Sequence, residues 1–528
     1  MPEIFTTTGQ HFSCSEGQSL LDAVLIANIF IESPCGGNGK CGKCKVKITG
    51  NTIPEASDED KACLSASDLA DNFRLACTLY PDKEMTIQLP VQEKGHAILS
   101  EGYMPDFTPD IKINGESFGL AVDIGTTTVV VSLIDLQNGS ELGTEAVINP
   151  QRNQGLDVLS RISYVQEHGQ EGLRTLQSSI VSAIENMALK LCGENNIAHD
   201  TLLGISVSAN TTMLHLLLGE DPLSLGVKPF KPVFTDGKCV KASELGMKHF
   251  ANAHVMTLPL VSAYIGADIV AGAYICDMKN QKGNVLFIDI GTNGEMILAS
   301  DGKLFACSCA AGPALEGMNI SCGMRAANGA VESVHVEEDG SVRLQVIGNT
   351  QPKGICGSGI LSAVRELLRV SLIAPNGRLA GKNFDNPYYS LCQERDGKTV
   401  IHLSPEIYIT QGDIRQVQLA KGAILSGVTA MLDRADLKTD ELDKVLVAGQ
   451  FGAHLPAEDL IKCGLLPETL SPDRVKYVGN TSKTGAYIAL LSMKARNDME
   501  ILAREINYIE LAELNGYDRL LAKCMKFT

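Results

Sequence analysis

Residues 119–135 read GLAVDIGTTTVVVSLID, and residues 285–301 read VLFIDIGTNGEMILASD. Each runs from an apolar strand into Asp-Ile-Gly-Thr, turns, and returns as a second strand. The first turn carries Asp123, Gly125, Thr126, Thr127 and Thr128; the second carries Asp289, Gly291, Thr292, Asn293, Gly294 and Glu295. Glycine permits the tight hairpin. Backbone amides and Thr hydroxyls can then face phosphate oxygens, and the Asp can hold Mg2+, usually through water. A third segment, VLVAGQFG (445–452), follows a strand and opens a helix. Its Gly449, Gln450 and Gly452 would let adenosine and an α-phosphate approach the backbone. One D-x-G hairpin carries little information, but three such segments in order carry much. The repeated motif predicts an internal duplication of a nucleotide-binding half. No G-x4-G-K-[ST] occurs, so this is not a Walker loop.

Outward from these segments, strands alternate with long helical stretches from Phe118 to the C-terminus, an α/β pattern. The block 118–528 reads as two lobes, about 118–284 and 285–528. Residues 93–117 are polar and carry Pro105 and Pro109, the composition of a linker. Residues 1–92 form a separate α+β block. Two short strands flank a turn at Gly9, a helical stretch runs from Gly17 to Ile31, KVKITG is a strand, and two more strands follow Phe73.

That first block holds six cysteines in its first 77 residues, out of 16 in the chain. Cys35, Cys41 and Cys44 lie in CGGNGKCGKC (35–44) and, with Cys77 downstream, are spaced C-x5-C-x2-C…C. Four thiolates are what a [2Fe–2S] cluster needs, and the glycines let backbone amides turn toward its sulfurs. The spacing is one residue longer than the plant type and resembles the vertebrate-type ferredoxin variant. A structural Zn2+ is the competing reading, but zinc sites usually use two CxxC knuckles and only one is present. Cys14 and Cys63 read as small buried hydrophobes.

Composition narrows the function classes. Of 528 residues, 44% are hydrophobic and 20% charged, so the chain is globular. Its formal charge is -17 and it has no Trp, which disfavours nucleic-acid backbones and base stacking. There is no basic, apolar leader at the N-terminus and no long apolar run, so neither secretion nor a membrane span is expected. A cytoplasmic protein with reduced thiols is expected.

The DIGTTT, DIGTNGE and LVAGQFG segments resemble those of the superfamily of acetate and sugar kinases, heat-shock ATPases and actin. The resemblance implies two ribonuclease-H-like halves closing on ATP. It assigns 123–128 and 289–295 to the phosphate loops and 449–452 to the adenosine motif. Ser208-Ala-Asn210-Thr211-Thr212 and the stretch 479–486 (GNTSKTGA) fit the connecting helices, although plain N-capping would explain them equally. Asp268 could polarise a water near the γ-phosphate, or could be only a helix-entry residue.

With the N-terminal loop and GICGSG (354–359) added, nearly the whole chain resembles the reductive activators of corrinoid proteins. That resemblance implies a β-grasp ferredoxin domain joined to an actin/sugar-kinase ATPase core. It also implies an ATP-dependent iron–sulfur reductase that uses a [2Fe–2S] cluster, ATP and Mg. The expected partners are a corrinoid protein, reduced by one electron from cob(II) to cob(I), and a low-potential electron donor; a homodimer is open. Family members that serve the corrinoid iron–sulfur protein carry an extra middle domain. The short stretch 93–117 leaves no room for one before the core, so a methyltransferase corrinoid protein is the expected partner. A methanogen type carries C-terminal 4Fe–4S motifs, whereas the tail after Ala486 has only Cys524.

In the loop 306–317, Ser308 could reach cobalt or the corrinoid edge, or the loop could only brace the cleft; Cys307 and Cys309 read as structural thiols. GICGSG could bind an anion or could be a tight strand–helix turn. The last thirty residues read as an amphipathic segment packing back on the core. The acidic surface should favour a complementary patch on the partner. Two other function classes remain: a nonredox actin-like ATPase or kinase with a structural metal, and a redox-sensing ATPase regulator.

Overall fold

The computed structural model describes the chain except residues 28, 30, 32–36, 38, 40–41, 50–52, 90–101, 112–114, 381–385, 396, 450–451, 453–454 and 528, and for residue 25 the backbone only. Cys35, Cys41 and Gln450 therefore lie outside the described residues. The chain divides into two compact units, 1–95 and 96–528.

The first unit is a five-stranded sheet with helices packed on it. Its elements are β1 (Glu3–Thr6), β2 (His11–Ser13), α1 (Leu20–Ile26), β3 (Lys45–Ile48), α2 (Asp58–Cys63), α3 (Ala66–Ala70), β4 (Phe73–Leu75) and β5 (Met85–Gln88). The sheet order is β2-β1-β5-β3-β4, with β1 and β5 parallel and the other pairs antiparallel. Ile4, Leu20, Val24, Val46, Leu75 and Ile87 fill its core. The helix expected over 17–31 is shorter than the apolar spacing suggested. The helices α2 and α3, not anticipated, each open on a reciprocal capping box, Ser57 with Asp60 and Ser65 with Asp68.

The second unit begins its first lobe with β6 (Phe118–Ile124), β7 (Thr128–Asp135), β8 (Glu141–Ile148), α4 (Val158–Glu194), β9 (Leu202–Ala209), α5 (Thr211–Leu218), α6 (Leu223–Gly226), β10 (Cys239–Lys241), β11 (His254–Thr257) and α7 (Ala267–Ile275). The other lobe contains β12 (Val285–Ile290), β13 (Gly294–Ser300), β14 (Lys303–Cys309), β15 (Ala330–Val336), β16 (Val342–Val346), β17 (Gly354–Ile355), α8 (Gly357–Arg369), β18 (Cys392–Arg395), β19 (Lys398–His402), β20 (Tyr408–Thr410), α9 (Gln411–Arg434), β21 (Lys444–Ala448), α10 (Ala457–Lys462) and β22 (Val475–Gly479). The chain ends with α11 (Thr481–Leu491), α12 (Met493–Glu505), β23 (Ile506–Tyr508) and α13 (Tyr517–Cys524).

The two lobes repeat one topology. In the first, β8, β7 and β6 form an antiparallel meander, and β9 and β11 continue in parallel beside β6. In the second, β14, β13 and β12 form the meander, and β21 and β22 continue in parallel beside β12. Asp123 and Asp289 thus end equivalent central strands, where parallel neighbours bury both faces.

Chain order and spatial order differ at the end. After β22 the chain returns to the first lobe, where α11 lies on β6 and β9, and Ala486, Leu490 and Leu491 pack on Ala121, Ile134 and Leu136. The helices α7 and α11 cross closely because a Cβ on Gly485 would stand only 2.4 Å from Ala271 Cβ. From Ile506 the tail packs on the second lobe, as expected, with β23 parallel to β14 and Leu511 and Phe527 in the core. The stretch read as linker also differs. Residues 102–111 lie along α11, because Asp110 accepts hydrogen bonds from the first amides of α12, Met493 N at 2.7 Å and Lys494 N at 2.9 Å. Among the described residues, no helix is long and apolar enough to cross a membrane.

Candidate functional site

The β6–β7 hairpin closes with Gly125 N donating to the Thr128 carbonyl at 2.8 Å, and a Cβ on Gly125 would crowd that carbonyl at 2.9 Å. Side chains from four elements then fix the loop. Asn149 Nδ2 donates to the Gly125 carbonyl at 2.8 Å, Asn210 Nδ2 to Thr126 Oγ1 at 3.0 Å, and Arg161 Nη2 to the Thr126 carbonyl at 2.5 Å. Arg161 is fully buried, and desolvation pushes its guanidinium down to about 9. Asp123 accepts from Asn480 Nδ2 at 2.8 Å and from Ser482 Oγ at 2.6 Å. Burial raises its pKa while these donors oppose the rise.

Asn210 and Asn480 are also helix N-caps, accepting from Met213 N and Lys483 N. The capping and the site readings of these segments are therefore both met. One amide side chain uses its oxygen on the helix and its nitrogen on the loop.

The β12–β13 hairpin is built alike, with Gly291 N donating to the Asn293 carbonyl at 2.9 Å. Its surroundings are not alike. Among the described residues no hydrogen-bond donor reaches the Asp289 carboxylate, and burial together with the Asp123 charge pushes its pKa up to about 7. Gly449, at φ +87°, lies against it; a Cβ there would stand 2.3 Å from Asp289 Oδ1. The segment that begins at Gly449 is thus seated directly on the second loop. Asn293 Nδ2 lies 3.3 Å from Glu295 Oε1. Thr292 turns its hydroxyl to Glu316, a buried carboxylate flanked by the charges of Arg325 and Arg152.

Asp268, in the first turn of α7, accepts from its neighbour Ile269 N at 2.9 Å. It also shares the cleft floor with the other acids. Burial, then Asp289 and Asp123, push it up to about 8, and burial with Asp268 and Asp289 holds Glu295 well above the ordinary range. Four carboxylates with so little compensating charge suit a cation bound through water. Among the described residues no three such side chains are placed to hold a metal ion directly.

Ser308 stands on β14, opposite Glu295 in the sheet register and half-buried, so the segment expected as a loop over 306–317 begins only after Cys309. Cys307 and Cys309 are buried free thiols; desolvation pushes Cys309 up to about 12 and holds Cys307 well above the ordinary thiol range. The GICGSG glycines serve close packing. A Cβ on Gly357 would stand 1.9 Å from the Leu315 carbonyl, and one on Gly359 2.0 Å from that of Val331.

In the first unit, Cys44 and Cys77 are buried and their sulfurs lie 3.3 Å apart. The Cys44 hydrogen bond draws the Cys77 thiol down to about 7 despite burial. Gly42, at φ +69°, has the Cys63 carbonyl 3.0 Å from where a Cβ would be. Cys63 donates from its thiol to the Gly39 carbonyl at 3.1 Å and braces this loop from outside, while Cys14 is a core residue. Two adjacent buried thiols, Cys44 at the end of a glycine-turned loop and Cys77 just after β4, fit an iron–sulfur cluster.

Reading the sequence for loops missed Arg161, Asn149 and Glu316. Asn149-Pro150 is a turn signal that marks Asn149, but no local pattern announces Arg161 or Glu316, which reach the loops only through tertiary packing.

Comparisons with known proteins agree with this anatomy. Residues 5–82 match the 2Fe–2S iron–sulfur cluster binding domain, residues 118–281 the RACo middle region, and residues 283–528 the C-terminal domain of RACo, described as the ASKHA domain. The chain is 33% identical over 438 residues to the corrinoid activation enzyme RamQ of Eubacterium limosum, covering 80% of this chain and 72% of the relative. It is 27% identical to the [Co(II) methylated amine-specific corrinoid protein] reductase of Methanosarcina barkeri, covering 74% and 73%. A solved structure, the reductive activator for corrinoid, iron–sulfur protein, superposes with a TM-score of 0.69 and 30% identity, covering 100% of this chain and 98% of the other.

One expectation is overturned. The middle region is not missing: it is the first lobe itself, and the chain spans nearly the whole of an activator for a corrinoid iron–sulfur protein. The short stretch before the core concealed this, because the lobe was counted as half of the ATPase and not as a separate region. With a ferredoxin unit, a duplicated two-lobed core and end-to-end likeness to these enzymes, the chain belongs to the family of reductive activators of corrinoid proteins.

Proposed function

We propose that the protein is an ATP-dependent one-electron reductase that returns the cobalt of a corrinoid protein from cob(II) to cob(I). The observation that carries this reading is the joint presence, in one chain, of a buried thiol pair, one member of it on a glycine-turned loop, and a cleft of four underneutralised carboxylates between duplicated halves. Cys35, Cys41, Cys44 and Cys77 would hold a [2Fe–2S] cluster, which supplies one-electron redox chemistry when bound. An electron from a low-potential donor passes by way of the first unit to cobalt on the partner. The uphill step is offset in the second unit, where ATP and water become ADP and phosphate.

In this reading Gly125, Thr126, Thr127 and Thr128, with Gly291, Thr292, Asn293 and Gly294, cradle the phosphates. Gly449, Gln450 and Gly452 receive the adenosine. Asp123, Asp289 and Glu295 set the negative field for a hydrated Mg2+, and Asp268, whose proton affinity is raised, takes the proton of the attacking water. Ser308 stands opposite Glu295 in the register of β13 and β14, beside the acids of the cleft, and a contact with cobalt or the corrinoid edge is the other role weighed for it. Cytoplasmic residence, with reduced thiols, belongs to the same reading.

The test mixes the cluster-loaded protein with a low-potential reductant, Mg–ATP and a cob(II) corrinoid protein under anaerobic conditions. One arm uses a methyltransferase corrinoid protein and the other a corrinoid iron–sulfur protein. The cob(I) absorption band should grow in at least one arm and only with ATP. Growth independent of ATP, or none in either arm, contradicts the proposal.

A further inference from the structure

Helix α11 begins inside the cleft: Asn480, its N-cap, and Ser482 both hold Asp123. At the same point Gly479 forms an antiparallel bridge with Gly102, and Tyr103 N donates to the Val478 carbonyl at 2.8 Å. The fit is close. A Cβ on Gly102 would stand 2.3 Å from the Asn480 carbonyl oxygen and 2.6 Å from Thr484 Oγ1. Thr484 Oγ1 itself donates to the Asn480 carbonyl at 3.1 Å.

From there residues 102–111 follow α11 to its far end. The Phe107 ring meets Tyr487 edge-on at 5.8 Å, and Tyr487 Oη donates to the Gly139 carbonyl at 2.6 Å. Asp110 then clamps the junction of α11 and α12, accepting from Ser492 Oγ at 3.0 Å as well as from the Met493 and Lys494 amides. Along one face of α11, therefore, the same helix that grips Asp123 grips the segment 102–111 at both ends and in the middle.

We propose that residues 102–111 are a coupling strap. Nucleotide in the cleft repositions Asp123 and, through Asn480, tightens the strap at Gly102, so that the state of the cleft is passed to the chain leading into the ferredoxin unit. Gly102 and Asn480 act as positioning residues for the electron-transfer step. The inference rests on the proposed ATP site and deepens it. It needs two states of one element that both sites bias, and the shared N-cap supplies that element.

Amide hydrogen exchange of the full-length, cluster-loaded protein tests it, with a non-hydrolysable ATP analogue plus Mg2+ as the probe and binding followed separately by calorimetry. The strap should exchange about tenfold more slowly with the analogue bound, the size of an ordinary allosteric coupling. In Asn480→Ala, at analogue concentrations that calorimetry shows to saturate the site, the strap should no longer respond. In Gly102→Ala the ATP-driven electron transfer should fall about tenfold, on the same scale, while the visible absorption of the cluster is unchanged. Binding of the analogue with unaltered strap exchange in the wild type would overturn the strap alone. Failure of the analogue to bind would overturn the ATP site, and the strap with it. Should Gly102→Ala fold poorly, Asp110→Asn, which loosens the other anchor, gives the same comparison, and an unchanged strap response there also counts against the proposal.

Discussion

The two phosphate hairpins share a sequence motif, a sheet position and a turn geometry, yet the protein treats them differently. Asp123 is held by Asn480 and Ser482, and its loop is fixed by Asn149, Asn210 and the buried Arg161. Among the described residues, Asp289 has no donor on its carboxylate, the bare backbone of Gly449 lies against it, and its pKa is pushed up to about 7. A buried charge that the protein satisfies belongs to the scaffold, whereas one left unsatisfied waits for a ligand. The first loop is the wall whose charge the protein itself satisfies, and in the proposed reading the second is the wall that metal and nucleotide complete.

The comparison is most exposed at the two aspartates themselves. Asp289→Ala should lower ATP hydrolysis by about a hundred- to a thousandfold, the scale of losing one preorganised electrostatic group. The melting temperature of the nucleotide-free protein should hold or rise, because an uncompensated buried charge is gone. Asp123→Ala should lower that melting temperature, since it strands the donors of Asn480 and Ser482. Equal effects of the two substitutions on thermal unfolding would erase the distinction.

A smaller effect sharpens it. Ser482→Ala removes one donor from Asp123 and should cost about 1–3 kcal/mol in the ATP-dependent step. Steady-state kinetics should assign the loss to kcat/KM for ATP, with the cluster absorption untouched. Gly485→Val forces the α7–α11 crossing apart, since even one methyl would overlap Ala271. Chemical denaturation should report a loss of about 1–3 kcal/mol.

The least effect concerns pH. His215 is fully buried on α5, stacks on Phe234, and accepts from Val233 N through Nε2 at 3.0 Å. Burial depresses its pKa, so it folds in the neutral form. That contribution is complete above the unfolded histidine value and is lost as pH falls through the lower folded value. Acid should therefore weaken the lobe that holds the first loop. His215→Gln, which keeps an acceptor that cannot titrate, should remove this acid sensitivity in melting curves taken between neutral and mildly acidic pH.

What could be read from the sequence was what is local. The DIGTTT and DIGTNGE hairpins, their placement on equivalent strands, and the Cys44 segment of the thiol loop all follow from short-range pattern. The asymmetry between the loops does not. It depends on Arg161 arriving from α4, on Ser482 returning to the first lobe after the second is complete, and on Glu316 meeting Thr292, each a contact between elements far apart in the chain. The strap illustrates the same limit. Pro105, Pro109 and polar neighbours look like a linker, and only the position of the α12 amides makes Asp110 an anchor. The middle region was misjudged for a related reason: a lobe that repeats the core's topology gives no compositional sign of being counted separately.

The central claim is that a reducible cluster in one unit and an ATP cleft in the other are separate devices that must act together. It is tested most directly by one anaerobic spectroscopic titration. Wild type and Asp289→Ala are each followed at the cluster bands and at the cob(I) band, with the reductant, Mg–ATP and a cob(II) corrinoid protein present. The account predicts that both proteins show the cluster and that both clusters are reduced, but that cob(I) accumulates with ATP only in the wild type. Equal cob(I) yields from the two proteins, or loss of the cluster bands in Asp289→Ala, would contradict it.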